Sequence, residues 1–393
     1  MASIMAPILV AMDTSTLNGL ARDLSSPAAQ LTGKRFVDGL LAGGCVPAIS
    51  FENILEMLRH KDGRTVNDRI VMFATFPQVA YVDALQRPGE PGTIVDILAR
   101  EVKAYLSDKT SDAVTIARAT RSNLFGFCDG RKIEKWLNEK REEYWPLAQA
   151  SHEEEKLLSS VSHVALTGAD EMKVGSISSD SRVDQATMER YLRHVQSEME
   201  TNLRAHGVEG LDKAYSDDFA AQFVADQRAR FSAMAGPDGA PAFARFRDEW
   251  LRERGIDPTQ VSDRTTIYDL AEMSAFALKL KLVSRVLGLA EPVTVRDIPM
   301  DKCPSEIVQT GVERRRRSAP RAQGGDLIDS YRATLACYCD ITIVDKRTKE
   351  YIRQLRTQND LAKALIRKVV CLSKYTDFVS EGALPVSGGT KDD

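Results

Sequence analysis

The stretch PILVAMDTS, residues 7–15, decides the fold class of this chain. Its first six residues are apolar and rich in branched side chains, which is typical of a strand buried on both faces of a parallel sheet. The apolar run stops at Asp13, and a helical stretch follows over residues 27–42. CVPAIS (45–50) is a second run of the same kind, and FENILEMLRH (51–60) is an amphipathic helix behind it. This alternation of strand and helix predicts an α/β sheet.

The same alternation returns near the other end of the chain. PVTVRDI (292–298) and DITIVDKR (340–347) are strand candidates, and GGDLIDSYRATLACY (324–338) begins with turn residues and continues as a helix. KEYIRQL (349–355) and LAKALIRKVVCLSKY (361–375) carry helical spacing. RIVMFATF (69–76) is compatible with a strand or a helix, because periodicity does not separate the two in a short apolar run.

Between these two regions the pattern is helical. Six stretches between residues 94 and 288 carry apolar residues at three-to-four spacing, and two loops separate them: 94–106, 131–160, 183–206, 214–234, 242–254 and 266–288, with loops at 166–181 and 235–241. We therefore predict an α/β domain in two halves, residues 1–93 and 289–386, with an all-helical insertion at 94–288 and a disordered tail at 387–393.

Composition narrows the classes of protein that fit. The chain has 393 residues, enough for two or three domains, with 43% apolar and 28% charged residues. Its formal net charge of −3 gives no overall attraction to nucleic acid, so any such attraction must come from local basic patches. The six cysteines form no pair of C-x-x-C half-sites, which disfavours a structural zinc site and favours reduced thiols. No signal peptide or membrane-spanning stretch is evident, so we expect a cytoplasmic protein that does not bind membranes.

Carboxylates stand where an open parallel sheet places functional groups, at the carboxyl ends of its strands. Asp13 ends the first predicted strand, Asp345 ends the last, and Glu56 lies on the helix after the second. Asp326 and Asp329 are three residues apart at a helix start and share one helical face. Because clustered carboxylates repel one another, such a group is stable with a divalent cation in it. We therefore expect one or two Mg²⁺ or Mn²⁺ ions, which prefer oxygen ligands and can assist hydrolysis of a phosphodiester.

Each of these acids also has a simpler structural interpretation. Asp13 and Asp326 could be helix caps, and Glu56 taken alone could be a solvated helix residue. Ser15 and the basic residues also allow two interpretations each. Ser15 could bind a phosphate or satisfy a turn, and the run Arg314, Arg315, Arg316, Arg317, with Arg321, could be a phosphate clamp or a solvated loop. Lys346 and Arg347 begin a stretch, 346–374, with nine Lys and Arg against Glu350 and Asp360, which could be a nucleic-acid footprint.

The order of these motifs resembles the PIN family of nucleases. Family members open with a strand ending D-[TS]-[SN], and MDTSTLNGLA supplies Asp13. They continue with a strand of the form xPxIS and a helix carrying a Glu, and VPAISFENILEML supplies Glu56. They close with an Asp-led helix and a strand ending in an acid, and GGDLIDSYRATLACYCDITIVDKRT supplies Asp326, Asp340 and Asp345. The resemblance covers about 75 residues at the start and about 70 at the end.

The resemblance implies a PIN-like parallel sheet flanked by helices, in which Asp13, Glu56, Asp326 and Asp345 are catalytic. It implies that these acids, with Asp329, bind Mg²⁺ or Mn²⁺, and the motif spacing favours Asp326 over Asp329. Since most characterised members cut RNA, it implies an endoribonuclease, with a toxin-like or phage-defence role as one possible setting. A catalytically inactive scaffold or nucleic-acid-binding protein and a DNA nuclease are the alternatives. The long helical segment departs from small members of the family, and we expect it to contact a protein partner, an oligomer or the substrate.

Overall fold

A computed structural model describes residues 6–166, 256–317 and 326–380, apart from residue 263, together with isolated positions between 173 and 252. The described chain is an α/β structure with one six-stranded sheet flanked by helices. The strands are β1 (Ile8–Ala11), β2 (Cys45–Ile49), β3 (Val79–Val82), β4 (Phe125–Cys128), β5 (Ile341–Ile343) and β6 (Lys368–Val370).

Thirteen helices have bounds within the described residues. They are α1 (Thr14–Ser25), α2 (Gln30–Ala42), α3 (Phe51–Leu58), α4 (Gly63–Met72), α5 (Ile94–Ser107), α6 (Ala113–Arg121), α7 (Gly130–Leu166), α8 (Ile267–Leu287), α9 (Pro304–Arg317), α10 (Asp326–Ala333), α11 (Lys346–Gln358), α12 (Asp360–Leu365) and α13 (Asp377–Ser380). Short 3₁₀ turns lie at Phe73–Thr75, Pro258–Gln260, Met300–Lys302 and Thr334–Cys337. The predicted strands at 7–12, 45–50 and 340–347 and the predicted helices at 27–42, 51–60, 94–106 and 349–355 are confirmed.

The order of strands in the sheet is β4-β3-β2-β1-β5-β6. All neighbouring pairs are parallel except β3 and β4, so the sheet is mixed. From β1 the chain adds β2 and β3 on one side, and it later adds β5 and β6 on the other. The direction of strand addition therefore reverses between β1 and β5, which makes this gap the topological switch point of the sheet.

The central strand is buried on both faces, which explains its uninterrupted apolar run. Val10 and Met12 pack into one core, together with Leu17 and Phe36 of the first two helices. Leu9 and Ala11 point to the opposite core, which contains Tyr338 and other buried apolar residues of the second half of the chain. Successive side chains of a strand point to opposite faces, so a strand covered on both sides must be apolar throughout.

The middle of the chain differs from the all-helical prediction. Phe125–Cys128 form β4, an edge strand that pairs with β3, so residues 94–288 are not helical throughout. Helices α5 and α6 also contribute Ile97, Ala113 and Ala117 to the core beneath the sheet. The reason is length, since a four-residue strand containing a glycine leaves almost no periodic signal. The predicted elements at 183–206, 214–234 and 242–254, the loops at 166–181 and 235–241, and the tail at 387–393 lie wholly or largely outside the described residues.

Two further predictions of secondary structure are wrong. Residues 292–298 form turns, in which the Val293 amide donates to Ser284 Oγ at 3.0 Å and the Thr294 amide donates to Asp297. The alternation of apolar and polar residues in this stretch arises because Ile298 is buried against α5 and α8, while its polar neighbours face water. The stretch 361–375 is helical only to Leu365, after which Lys368–Val370 pair with β5 as strand β6. The undecided stretch 69–76 ends helix α4 and forms a 3₁₀ turn.

All six cysteines are free thiols, and Cys45, Cys303, Cys337 and Cys339 are buried. Among the helices of the described ranges, none is long and apolar enough to cross a bilayer.

Candidate active site

Two carboxylates flank the switch point of the sheet. Asp13 stands two residues after the end of β1, and Asp345 stands two residues after the end of β5, which is paired directly with β1. Both acids therefore leave neighbouring parallel strands at the carboxyl edge of the sheet. Crevices at this position are where open α/β sheets bind ligands.

Both acids also cap the helix that follows them, so the simpler interpretation of Asp13 holds as well. Asp13 Oδ1 accepts from the Thr16 amide at 2.8 Å, and Asp13 Oδ2 accepts from Ser15 Oγ at 2.7 Å. Asp345 Oδ1 accepts from the Thr348 amide at 2.8 Å. A cap uses only part of a carboxylate, because its two oxygens together offer about four acceptor positions. Capping fixes the two carboxylates in place and leaves lone pairs for a ligand.

Glu56 reaches the same edge from helix α3. The start of α3 is fixed by a capping box between Ser50 and Asn53, and Asn53 Nδ2 also donates to the Met12 carbonyl at 3.3 Å. This places α3 directly against the chain leaving β1. Thr14 Oγ1 then donates to Glu56 Oε2 at 2.7 Å, so Glu56 lies beside the start of α1.

The remaining acid is Asp329, on helix α10, which packs against α3. Its carboxyl lies close to that of Asp345. Partial burial raises the pKa of Asp329 to about 7; Arg332 opposes this shift, and the carboxylates of Asp345 and Glu56 reinforce it. The structure thus brings Glu56 and Asp345 within electrostatic reach of Asp329. The side chain of Asp326, the acid favoured by the motif spacing, lies outside the described residues.

Arg332 is the site residue that sequence reasoning missed. Its guanidinium pairs with Glu56 Oε2, and its Nη2 lies 3.1 Å from Asp329 Oδ1. The pairing with Asp329 follows from their three-residue spacing on one helix. The pairing with Glu56 joins positions far apart in sequence, and no local pattern predicts it.

Cys371 is a second residue that we did not anticipate, because β6 was predicted as helix. Burial raises the pKa of its thiol, and the nearby carboxylates of Asp345 and Asp13 act in the same direction while Lys349 and Lys346 oppose them. These mutual influences place Asp13, Asp345 and the two lysines around the carboxyl end of β6. Lys346 and Arg347 are exposed on the first turn of α11, beside Asp345.

The arginine run lies at the end of helix α9, and two of its members have partners within the protein. Arg314 pairs with Asp269 and Glu272 at 2.8 Å and stacks on the ring of Tyr268. Arg315 donates to the Gly311 carbonyl at 2.7 Å and to Gln358. Arg316 is partly buried, and the side chains of Arg317 and Arg321 lie outside the described residues. A phosphate clamp by Arg314 would require it to leave two carboxylates. Ser15, by contrast, is exposed next to Asp13.

Asp340 belongs to the opposite edge of the sheet. It precedes β5, accepts from the Leu9 amide at 2.9 Å and pairs with Arg121 and Arg367 at 2.7 and 2.9 Å. These contacts tie β1, α6 and β6 together. Asp340 is therefore a structural residue and is separate from the acids that follow the strands.

The donor chemistry of the edge suits a hard divalent cation, since the grouped side chains are carboxylates. Their crowding supports this in part, because the pKa of Asp329 is raised first by burial and then by its acidic neighbours Asp345 and Glu56. The positions of these side chains fit a metal ion less well than their chemistry does. Over the ranges that the structure describes, no three His, Cys, Asp or Glu side chains are arranged to hold an ion together. Two of the acids, Glu56 and Asp329, are instead paired with Arg332.

Comparison with known proteins found no matching family model, no matching characterised protein and no matching solved structure.

Proposed function

We propose that this protein is a PIN-like, metal-dependent nuclease that hydrolyses phosphodiester bonds, with RNA as its substrate. The observation that carries the proposal is the convergence of Asp13, Glu56, Asp329 and Asp345 on one edge of the sheet. These acids come from four different elements, and two of them flank the topological switch point. Carboxylates gathered against their mutual repulsion at a ligand-binding position are the expected framework of a cation site.

The protein's own residues would divide the work as follows. Asp13, Glu56, Asp329 and Asp345, with Asp326 as a further candidate, would hold Mg²⁺ or Mn²⁺. Such an ion supplies an activated water and offsets charge on the phosphate. The helix caps hold Asp13 and Asp345 in fixed orientations, and Thr14 orients Glu56. Lys346, with Arg347 beside it, provides positive charge for the nucleic-acid backbone at the rim of the edge.

One observation favours a second candidate, a PIN-like scaffold or nucleic-acid-binding protein without catalysis. Arg332 pairs with two of the four acids and offsets part of their charge, which lessens the need for a metal to stabilise the acids. In that case the basic residues of α11 would bind nucleic acid, and the acids would be structural. The two candidates differ in one property, which is whether a divalent cation binds.

The test is cleavage of labelled single-stranded RNA and DNA of the same sequence by the purified full chain, with Mn²⁺, with Mg²⁺ and with EDTA. Asp13→Asn is the site variant, and Asp340→Asn, which alters a carboxylate on the opposite edge, is the matched control. We expect metal-dependent cutting of RNA that Asp13→Asn abolishes and Asp340→Asn retains. Cutting of DNA alone would move the substrate class to DNA. Absence of cutting together with absence of Mn²⁺ binding would support the scaffold.

A further inference from the structure

Arg332 lies between two of the four acids. Its side chain is only 8% exposed, and its guanidinium contacts Glu56 of α3 and Asp329 of its own helix. Glu56 Oε2 also accepts from Thr14 Oγ1, so that oxygen already has two donors. One oxygen of Glu56 and one of Asp329 are therefore engaged by the same guanidinium nitrogen, Nη2.

The guanidinium is held incompletely. Within the part of the chain that the structure describes, Arg332 Nε is buried and has no hydrogen-bond partner. A buried polar group without a partner is costly, and native structures contain few of them. Arg332 is thus positioned by the attraction of two carboxylates and not by a complete set of hydrogen bonds.

Other cations near the acids differ from Arg332 in their contacts. Arg69 acts on Glu56 electrostatically, but its Nη1 donates to the Met57 carbonyl at 2.7 Å. Lys346 and Lys349 are exposed on α11 and act on the region around Cys371. Glu56 and Asp329 are both ion-paired with Arg332.

We propose that Arg332 is a built-in competitor of the divalent cation, which must displace its guanidinium from Glu56 and Asp329 before it can bind. The inference rests on the proposed function, because it concerns the same carboxylates. Both lone pairs of Glu56 Oε2 are occupied by Thr14 and Arg332, and the fixed positive charge of the guanidinium repels a second cation placed on the same carboxylates. The affinity for the metal then depends on how easily Arg332 leaves Glu56 and Asp329. Until it leaves, the metal cannot bind.

The test is a calorimetric titration of the full chain with Mn²⁺, supported by the electron paramagnetic resonance of free Mn²⁺. Arg332→Gln removes the competing charge and frees both carboxylates. We expect it to bind Mn²⁺ at least about tenfold more tightly than the wild type, within the range over which side chains beside metal ligands change affinity. Arg332→Lys keeps the positive charge on a shorter side chain that reaches the two carboxylates less well, and its affinity should fall between the two.

Arg69→Gln is the matched control, because it removes a positive charge that acts on Glu56 but frees no carboxylate oxygen. We expect it to change the affinity for Mn²⁺ by less than about threefold, a surface-scale effect. Circular dichroism confirms that each variant is folded. Affinity that is unchanged or weaker in both Arg332 variants overturns the inference while leaving metal-dependent cleavage by the wild type intact. Absence of Mn²⁺ binding in every variant overturns the inference and the proposed metal site together.

Discussion

Replacing Glu101 with glutamine should remove a large part of the pH dependence of stability. Glu101 is fully buried on α5; Oε1 accepts from the Ser305 amide at 2.8 Å, Oε2 accepts from Ser305 Oγ at 2.8 Å, and Tyr338 also donates to it. Burial raises the pKa of this carboxyl to about 8, and the hydrogen bonds only partly oppose that shift. Glu101 therefore remains protonated in the folded protein at neutral pH.

The sign and size of the effect follow from linkage. Between the ordinary glutamate pKa and about 8, the folded protein holds a proton that the unfolded chain releases. The free energy of unfolding contributed by this group is therefore highest at low pH and falls as pH rises through that window. One pKa unit corresponds to about 1.4 kcal/mol, so the loss between about pH 5 and about pH 7 is about 3 kcal/mol.

The assay is urea unfolding of the wild type and Glu101→Gln at several pH values across this window. A neutral amide resembles the protonated carboxyl, so the stability of the wild type should fall relative to that of the variant by about 3 kcal/mol from pH 5 to pH 7. Glu139→Gln, an exposed carboxyl on α7, should keep the wild-type dependence. A difference between wild type and Glu101→Gln that stays constant with pH would refute the assignment of a neutral Glu101.

Three further predictions follow from particular contacts. Asp13→Asn keeps an acceptor for the Thr16 amide, so its free energy of unfolding should stay within about 0.5 kcal/mol of the wild type, whereas Asp13→Ala should lose about 1 kcal/mol in thermal melts. Both variants should abolish Mn²⁺-dependent cleavage. Cleavage by Asp13→Asn would mean that Asp13 acts only as a helix cap. Gly130→Ala would place a Cβ 2.0 Å from the Phe73 carbonyl oxygen and should lower the free energy of unfolding by about 3 kcal/mol, and a loss in urea melts below about 1 kcal/mol would contradict that contact. Asp340→Ala leaves two arginines without their carboxylate, so it should lower the free energy of unfolding by about 2 kcal/mol. The affinity for Mn²⁺ measured by calorimetry should not change. A large drop in that affinity would place Asp340 in the metal site.

The central part of the fold could be predicted from sequence because it is buried on both faces. The apolar runs within 7–12, 45–50 and 340–347 are short and rich in branched side chains, as buried parallel strands are, and each ends at a polar residue that marks the carboxyl end of its strand. The peripheral strands could not be predicted in this way. β3, β4 and β6 are three or four residues long, and each is defined by hydrogen bonds to a neighbouring strand and not by a period of its own.

The candidate site likewise has a part that the sequence predicts and a part that it does not. The positions of Asp13 and Asp345 follow from where their strands end, so sequence order alone places them at one edge. Asp326 and Asp329 are three residues apart, and the rotation of α10 decides which of them points to that edge. Only the side chain of Asp329 is described there. The contact between Arg332 and Glu56 depends on the packing of α3 against α10, which no local pattern encodes.

The most direct test of the central claim is anomalous diffraction from crystals of the full chain grown with Mn²⁺. The account predicts an anomalous peak at the carboxyl edge of the sheet, coordinated by carboxylates from among Asp13, Glu56, Asp329 and Asp345, with Arg332 no longer paired to Glu56. A structure at saturating Mn²⁺ with no peak at that edge, and with Arg332 still paired to Glu56 and Asp329, would contradict the claim that these acids form a metal site.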